Sequence, residues 1–243
     1  MTKKRLDQLL QERFAQYSRR QIQSWIMQGK AKVEGQIATK PGMQVTDASE
    51  VELHVEEPKY VSRAGFKLEK ALDHFNIDVK DLVVLDAGIS TGGFTDCLLQ
   101  RGAGKIYGID VGYGQVHEKI SNDDRVIIQE RTNLRLLTDV GEKVDLITLD
   151  LSFISILKVM DAVISMLKPD GQLITLIKPQ FEAQKGEVGR GGIIKDPKVH
   201  ARIIQEVTTG IEQFGFKCIG VIDSPIEGST GNKEFLAYFK RIV

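Results

Sequence analysis

The chain has 243 residues, of which 42% are hydrophobic and 27% charged, which excludes a wholly disordered protein and allows one large domain or a medium domain with a small companion. Its 33 basic and 33 acidic residues cancel, so a polyanionic partner would have to be met by a local basic patch. The two cysteines lie outside any metal-binding or disulfide pattern, and no apolar run is long enough for a membrane span or a signal peptide. We therefore expect a cytoplasmic protein with neither a metal site nor a membrane partner.

The first part of the chain is locally basic and then turns acidic. Residues 1–40 contain nine lysines and arginines and three acidic residues, whereas residues 41–58 contain five acidic residues and no basic one. This change predicts a boundary near residue 58, with a small module over residues 1–58 and a larger one over residues 59–243.

The small module is predicted to contain two helices and a few short strands. Leucines recur at helical spacing between Leu6 and Leu10, and Ser18 with Gln21 forms a capping-box pattern that predicts the start of a second helix. The other predicted elements are a hairpin over residues 30–38 and a half-buried strand over residues 51–55.

This module resembles the S4 RNA-binding domain over about residues 5–55, in Arg5-Leu6-Asp7, Ser18-Arg19, residues 28–35 and Lys40-Pro41-Gly42. The resemblance implies that two helices and a hairpin form a rigid surface that lies on folded RNA, where basic side chains bind phosphates and the RNA is read by shape. The alternative is a solvated charged face with no ligand. The candidate RNA-binding residues are Arg5, Arg19, Arg20, Lys30 and Lys32, together with Arg63 of the larger module.

Strands and helices alternate in the larger module, which is typical of an α/β fold with a doubly wound, mainly parallel sheet covered by helices on both faces. A helix is predicted through Ile156, Met160, Val163 and Leu167, and a long one begins at Asp196-Pro197. The predicted strands lie at residues 82–85, 106–110, 126–128, 145–150, 173–177, 218–222 and 235–239.

A glycine-containing loop follows the first of these strands, and an acidic residue ends the next. Gly88 opens the loop, and Asp110 lies 22 residues further on, where a carboxylate can accept hydrogen bonds from both ribose hydroxyls of an adenosine. The spacing is neither the GxGxxG of NAD enzymes nor a phosphate-binding P-loop. A tight turn without a ligand is the alternative.

The loop resembles the S-adenosylmethionine loop of class I (Rossmann-like) methyltransferases, which implies that it packs against the methionine part of the cofactor. Asp86 is expected either to face the amino or sulfonium end of the cofactor or to cap the loop. The candidate cofactor-binding residues are Asp86, Gly88, Ser90, Thr91, Gly92, Gly93, Phe94 and Asp110.

Three charged residues are predicted to meet at one edge of the sheet. Asp150 and Lys178 end two parallel strands, and Glu234 begins a last strand that would reach the same edge if it runs in the opposite direction. Lys67 lies at the start of a helix before the first strand. Each charge alone would be read as a surface residue, but their convergence beside a cofactor loop favours a catalytic site.

Lys67, Asp150, Lys178 and Glu234 match the K-D-K-E tetrad of the FtsJ-like ribose 2′-O-methyltransferases. Together with the S4 module, the whole chain is similar to the TlyA ("hemolysin A") family. The resemblance implies that the chain methylates the 2′-hydroxyl of a cytidine ribose in ribosomal RNA. The substrate could be the free RNA or a ribosomal subunit. Lys178 would be the general base, Lys67 a cation that steadies the developing alkoxide, and Asp150 and Glu234 would orient the lysines.

Two other functions stay open at this point, and one loop has an unassigned role. The chain could be a membrane-active hemolysin, although no amphipathic cationic helix supports this, or an RNA-binding protein with an inactive methyltransferase fold. Residues 182–195 contain four glycines together with Lys185 and Arg190, which predicts either a lid or RNA-contacting loop or a disordered surface loop.

Overall fold

The computed structural model describes residues 3–55, 58–184, 186–189 and 191–242. The chain separates into two compact units, residues 1–58 and residues 59–243. The acidic pair Glu56-Glu57, and Lys185 and Arg190 of the glycine-rich loop, lie outside the described residues.

The N-terminal unit has the two helices and the hairpin that its sequence predicts. The Ser18 hydroxyl accepts a hydrogen bond from the backbone N–H of Gln21, and the Gln21 side-chain oxygen accepts one from the backbone N–H of Ser18, so the capping box is confirmed. An additional antiparallel pair, β1 with β4, was not predicted because each strand has only three residues. The elements are β1 (Lys3–Arg5), α1 (Leu6–Arg13), α2 (Arg19–Met27), β2 (Ala31–Val33), β3 (Gln36–Ala38), β4 (Gln44–Thr46) and β5 (Val51–Leu53).

The two helices of this unit pack on its small sheets through a single apolar cluster. Leu6 and Leu10 of α1 and Ile22 and Ile26 of α2 are fully buried in it. Strand β2 pairs with both β3 and β5, which gives a three-stranded antiparallel sheet under the helices. The basic side chains of this unit lie outside this core, and most of them are exposed at the surface.

The C-terminal unit is built on one seven-stranded sheet in the order β11-β12-β10-β9-β6-β7-β8. Strands β8, β7, β6, β9 and β10 are parallel to one another, while β12 runs antiparallel to β10 and β11, as expected for a reversed last strand. The strands are β6 (Val83–Ala87), β7 (Lys105–Ile109), β8 (Val126–Gln129), β9 (Val144–Leu149), β10 (Leu167–Ile177), β11 (Phe216–Asp223) and β12 (Phe235–Arg241).

Helices cover both faces of the sheet, and a separate apolar cluster fills the space on each face. This double cover explains why the parallel strands read as continuous apolar runs in the sequence. The helices are α3 (Ala64–His74), α4 (Gly93–Gln100), α5 (Glu118–Ser121), α6 (Met160–Met166), α7 (Pro179–Glu182) and α8 (Pro197–Glu212).

One predicted helix is shorter than its periodicity suggests. Residues Ile156–Val159 form a 3-10 turn, α6 covers Met160–Met166, and Leu167 already belongs to β10. Pro169 explains this end, because a proline disfavours helical geometry in the residue before it. The placement of Leu167 on the helix was therefore wrong.

Candidate functional site

The carboxyl ends of β6 and β9 meet closely at the centre of the sheet. The backbone N–H of Asp150 donates to the carbonyl of Ala87 at 3.0 Å, and a Cβ on Gly88 would lie 2.5 Å from the carbonyl oxygen of Asp150. Gly88 has a φ of 88°, a region that favours glycine. This glycine is thus required by contact between two strands of the protein, and not only by the approach of a ligand.

The loop after β6 is packed from the other side by the segment that leads into α3. A Cβ on Gly93 would collide with the Ser62 hydroxyl, and one on Gly92 would lie 2.8 Å from Ile120. These glycines therefore allow other segments of the protein to pack closely against the loop. From the sequence, we expected them to allow the close approach of a ligand.

Two cavities open next to this loop. The larger, of about 550 Å³, is flanked by apolar side chains of Ile109, Val111 and Leu134, which suit a flat ring. The smaller, of about 90 Å³, is lined by Ser62, Ala64, Gly88, Ile89, Ser90, Thr91, Gly93, Phe94 and Asp150. The shared residues Gly88, Ser90 and Asp150 line both cavities, so an elongated ligand could occupy the two together.

Asp110 lies in the wall of the larger cavity, as predicted from its place after β7. Its carboxylate accepts hydrogen bonds from the backbone N–H groups of Ser90 at 2.8 Å and Gly112 at 2.7 Å. Each carboxylate oxygen keeps a further lone pair that can accept a ligand hydroxyl. The side chain therefore fixes the loop and keeps acceptors directed at the cavity for the hydroxyls of a ligand.

Asp86 lies beneath the loop and lines neither cavity, although it was predicted among the cofactor-binding residues. It is fully buried, and its two oxygens accept hydrogen bonds from the hydroxyls of Thr95 at 2.6 Å and Thr148 at 2.9 Å. Burial raises the pKa of the Asp86 carboxyl to about 6, against the lowering effect of the two hydroxyls. Of the two roles expected for it, this geometry favours support of the loop from below.

Lys178 directly follows β10 and is held by two oxygens. Its Nζ lies 2.6 Å from Asp150 Oδ1 in an ion pair and donates to the Ser152 hydroxyl at 3.0 Å. The lysine side chain is largely buried, so its charge is compensated mainly by Asp150. Nothing in the sequence indicated that the Ser152 hydroxyl contacts the lysine.

Lys67 and Glu234 form the second ion pair, 167 positions apart in the chain. Lys67 Nζ donates to Glu234 Oε2 at 2.5 Å, and both side chains are buried. The tetrad predicted from the sequence is therefore present as two lysine–carboxylate pairs.

A third cavity, of about 460 Å³, joins the two pairs. Lys178 and Glu234 line it, together with Ser152, Val188, Gly192 and other residues. Phe153 and Phe181 also line it, with ring centroids 5.0 Å apart, and Phe153 is 91% exposed with a φ of 65°. Sequence reasoning missed these rings, because an exposed phenylalanine has no periodicity that marks it.

Two of the predicted RNA-binding residues lie together on the N-terminal unit. Arg5 and Arg19 both donate hydrogen bonds to the carboxylate of Asp7, which is fully buried. Arg20 and Lys30 are exposed, Lys32 is half-buried in β2, and Arg63 is exposed in front of α3 in the other unit.

The described parts of the chain contain neither a metal-binding cluster nor a membrane-spanning helix. No group of three or more His, Cys, Asp and Glu side chains there could hold a metal ion. None of the helices described is long and apolar enough to cross a membrane.

Two family models match the chain. Residues 60–241 match the FtsJ-like methyltransferase model, and residues 4–51 match the S4 domain.

Curated proteins and solved structures show similarity over most of the chain. It is 41% identical to the 16S/23S rRNA (cytidine-2′-O)-methyltransferase TlyA of Mycobacterium tuberculosis over 97% of this chain and 89% of that one. It is also 41% identical to Hemolysin A of Brachyspira hyodysenteriae over 97% of this chain and 99% of that one. A solved candidate hemolysin from Streptococcus thermophilus superposes with a TM-score of 0.75 at 38% identity, covering 100% of this chain and 90% of that one.

Removing the Asp110 carboxylate should weaken binding of S-adenosylmethionine. In Asp110→Ala, the N–H groups of Ser90 and Gly112 lose their acceptor, and we expect the dissociation constant measured by calorimetry to rise about 10- to 100-fold. Asp124→Ala removes an exposed carboxylate and should leave the constant unchanged. Equal affinities of Asp110→Ala and the unaltered protein would contradict the assignment.

The raised pKa of Asp86 predicts a pH-dependent stability. Because an unfolded aspartate has a pKa of about 3.9, the stabilisation by protonated Asp86 is present below about pH 4 and is lost as the pH rises through about 6. We therefore expect Asp86→Asn to gain on the order of 2 kcal/mol in free energy of unfolding, relative to the unaltered protein, between pH 4 and pH 7.

Urea unfolding followed by circular dichroism measures this difference. The single tryptophan, Trp25, lies in the N-terminal unit, so its fluorescence gives an internal control that should not change with the substitution. The difference in free energy of unfolding between the two proteins should change over this pH range. A constant difference would show that Asp86 does not titrate as stated.

Proposed function

Since the chain belongs to the FtsJ-like methyltransferase family, in the branch of the TlyA and hemolysin A proteins, we propose that it methylates the 2′-hydroxyl of a cytidine ribose in ribosomal RNA. The proposed substrate is ribosomal RNA or a ribosomal subunit, which places the enzyme in the cytoplasm. In this proposal residues 1–58 are the S4 RNA-binding domain and residues 59–243 the methyltransferase domain.

One observation carries the proposal: the Lys178–Asp150 ion pair borders a cavity next to the cofactor loop. Asp150 lines both cavities beside the loop, while Lys178 and Glu234 line the third cavity. A reacting hydroxyl in the third cavity would thus have a lysine on one side and the cofactor region on the other. That arrangement is what an alignment of acceptor and donor requires.

The residues around the loop fit S-adenosylmethionine. Asp110 would hold the ribose of the cofactor, the apolar walls around Leu134 its adenine, and the small cavity bordered by Gly88 and Thr91 its methionine part. When bound, S-adenosylmethionine supplies a methyl carbon that is already electrophilic because it is bonded to a positively charged sulfur.

The chain's own contribution is to remove one proton and stabilise the charge left behind. As the neutral amine, Lys178 has two N–H groups and one lone pair; it donates to Ser152, and Asp150 Oδ1 lies 2.6 Å from its Nζ. The lone pair would accept the proton of a ribose hydroxyl, and Asp150 would stabilise the ammonium that then forms.

Lys67 would provide the second positive charge. Glu234, which lines the same cavity as Lys178, fixes this ammonium beside the cavity, and the positive end of Lys67 would stabilise negative charge that develops on the ribose oxygen. Because the ion pair with Glu234 already holds the Lys67 ammonium in place, this stabilisation requires little rearrangement during the reaction.

The aromatic rings at the third cavity give a place for the base. A nucleotide that enters this cavity would meet the exposed face of Phe153 and, behind it, Phe181. Stacking on aromatic rings is the usual way in which proteins hold single-stranded bases. Val188 and Gly192 add a wall from residues 182–195, which supports a substrate-contacting role for this loop.

Replacing Lys178 tests the mechanism. We expect Lys178→Ala to lower tritiated methyl transfer to unmodified ribosomal subunits by about 100- to 10,000-fold, the range that a positioned base contributes. S-adenosylmethionine binding should change by less than about 3-fold, because the lysine lines neither cofactor cavity.

Lys80→Ala is the matched control, because Lys80 is exposed before β6, at the opposite edge of the sheet. Its activity should be unchanged. Equal loss of cofactor binding and activity in Lys178→Ala would assign Lys178 a structural role. An unaltered protein that binds S-adenosylmethionine but methylates no subunit would instead favour an inactive methyltransferase fold.

A further inference from the structure

The N-terminal unit contains a buried carboxylate that no catalytic role explains. Asp7 is fully buried in the first turn of α1, where an unpaired charge would be strongly disfavoured. Three side chains compensate it. Arg5 donates to Oδ1 at 2.9 Å and to Oδ2 at 3.1 Å, Arg19 donates to Oδ2 from two nitrogens at 3.1 Å, and Gln23 donates to Oδ2 at 2.6 Å.

These contacts keep Asp7 ionised and connect the two helices. Burial acts to raise the pKa of Asp7, but the hydrogen bonds from Arg5, Gln23 and Arg19 outweigh it and lower the pKa to about 2. Arg19 and Gln23 lie one turn apart on α2, whereas Asp7 lies on α1. The carboxylate therefore fixes the direction of two guanidinium groups relative to both helices.

The two guanidinium groups remain available on their outer side. Each arginine side chain is 44% exposed, and neither Nη1 has a hydrogen-bond partner among the residues that the structure describes. Arg5 Nη1 would lie 3.5 Å from a Cβ on Gly42, so the glycine leaves room beside it. Of the five N–H donors on each guanidinium, at least the two on Nη1 can bind a ligand.

The spacing of the two groups suits one phosphate. The Nη2 atoms of Arg5 and Arg19 both lie 3.1 Å from the same oxygen of Asp7, so they are separated by at most twice that distance. Each Nη2 carries two N–H groups and therefore keeps one beside its bond to Asp7, and one phosphate with several acceptor oxygens can bridge two donors at such a separation. Two positive charges against one negative charge leave a net positive charge for an anion.

We propose that Asp7 is a positioning residue that holds Arg5 and Arg19 as one two-guanidinium site for a single phosphate of the RNA backbone. The carboxylate immobilises two long side chains before the RNA arrives, so less side-chain entropy is lost on binding. This inference rests on the proposed RNA substrate. A structural role for Asp7, in which it only joins α1 to α2, is the competing explanation.

The two explanations can be separated by substitutions that change the charge in a known way. Asp7→Asn removes a negative charge, so simple electrostatics predicts tighter RNA binding. If Asp7 positions the arginines, binding to unmodified ribosomal subunits should instead weaken about 10-fold, and the slope of log affinity against log salt should fall by about 1. Glu12→Gln removes an exposed negative charge from the same unit and should leave affinity unchanged or tighten it.

A double-mutant cycle provides the decisive readout. In an Arg5→Ala/Arg19→Ala background, Asp7→Asn should cause no additional loss of affinity, because the groups it positions are absent. In methyl-transfer assays the KM for subunits should rise while kcat stays constant. An equal loss in both backgrounds, or tighter binding by Asp7→Asn, would overturn the proposal.

A second pair of variants avoids the buried position, in case Trp25 fluorescence shows that Asp7→Asn unfolds this unit. Arg5→Lys and Arg19→Lys keep the charge but cannot bind a carboxylate and a phosphate with a planar fork, so each should weaken binding several-fold. Arg13→Lys, at an exposed arginine of the same unit that donates to the backbone of Asp47, is the control and should bind normally. Normal binding by both Arg5→Lys and Arg19→Lys would overturn the proposal.

The outcome for the unaltered protein separates this inference from the proposed function. If it neither binds nor methylates subunits, the proposed function fails. If it does both and only the Asp7 predictions fail, the positioning role alone is wrong.

Discussion

The contact between Gly88 and the backbone of Asp150 determines the arrangement of the catalytic unit. Strands β6 and β9 are adjacent and parallel, and the hydrogen bond from Asp150 to Ala87 extends their pairing to the point where both strands end. Past this point β6 continues into the cofactor loop, and β9 continues into the segment that carries Asp150 and Ser152. Because no side chain fits between them, direct backbone contact fixes the cofactor region and the group that holds Lys178 relative to each other. A side chain at position 88 would separate the two halves of the reaction.

Buried carboxylates organise both units, and their partners decide how they behave. Asp86 is surrounded by neutral hydroxyls, which only partly offset the cost of burying a charge, so its pKa rises to about 6. Asp7 is equally buried, but two guanidinium groups and an amide more than offset that cost, so its pKa falls to about 2. The first carboxylate supports a loop, while the second orients cations. Asp150 and Glu234 likewise orient cations, since each is paired with one lysine at the edge of a cavity.

The architecture could be predicted from the sequence because hydrophobic periodicity and the charged residues at strand ends are local signals. Apolar runs marked the strands, and the acidic or basic residue after each run marked the edge at which Asp150 and Lys178 meet. The features that the sequence did not reveal depend on which distant segments pack together. The Ser152 hydroxyl, the Phe153–Phe181 contact and the location of Asp86 beneath the loop result from close approaches between distant positions. Likewise, the three-residue pairing of β1 with β4 has no recognisable pattern, and Asp7 reads as an ordinary first-turn residue until its partners on α2 are seen.

The chemistry of the proposed reaction limits where its selectivity can come from. A 2′-hydroxyl is the same on every nucleotide of an RNA, so two lysine–carboxylate pairs that handle a proton and a developing charge cannot distinguish one site from another. Contacts to phosphate, such as those assigned to Arg5 and Arg19, also carry no direct sequence information. Stacking on Phe153 accepts any base that leaves its helix. Selection must therefore depend on the shape of folded RNA, which decides where the phosphate contacts form and which ribose reaches the cavity beside Lys178.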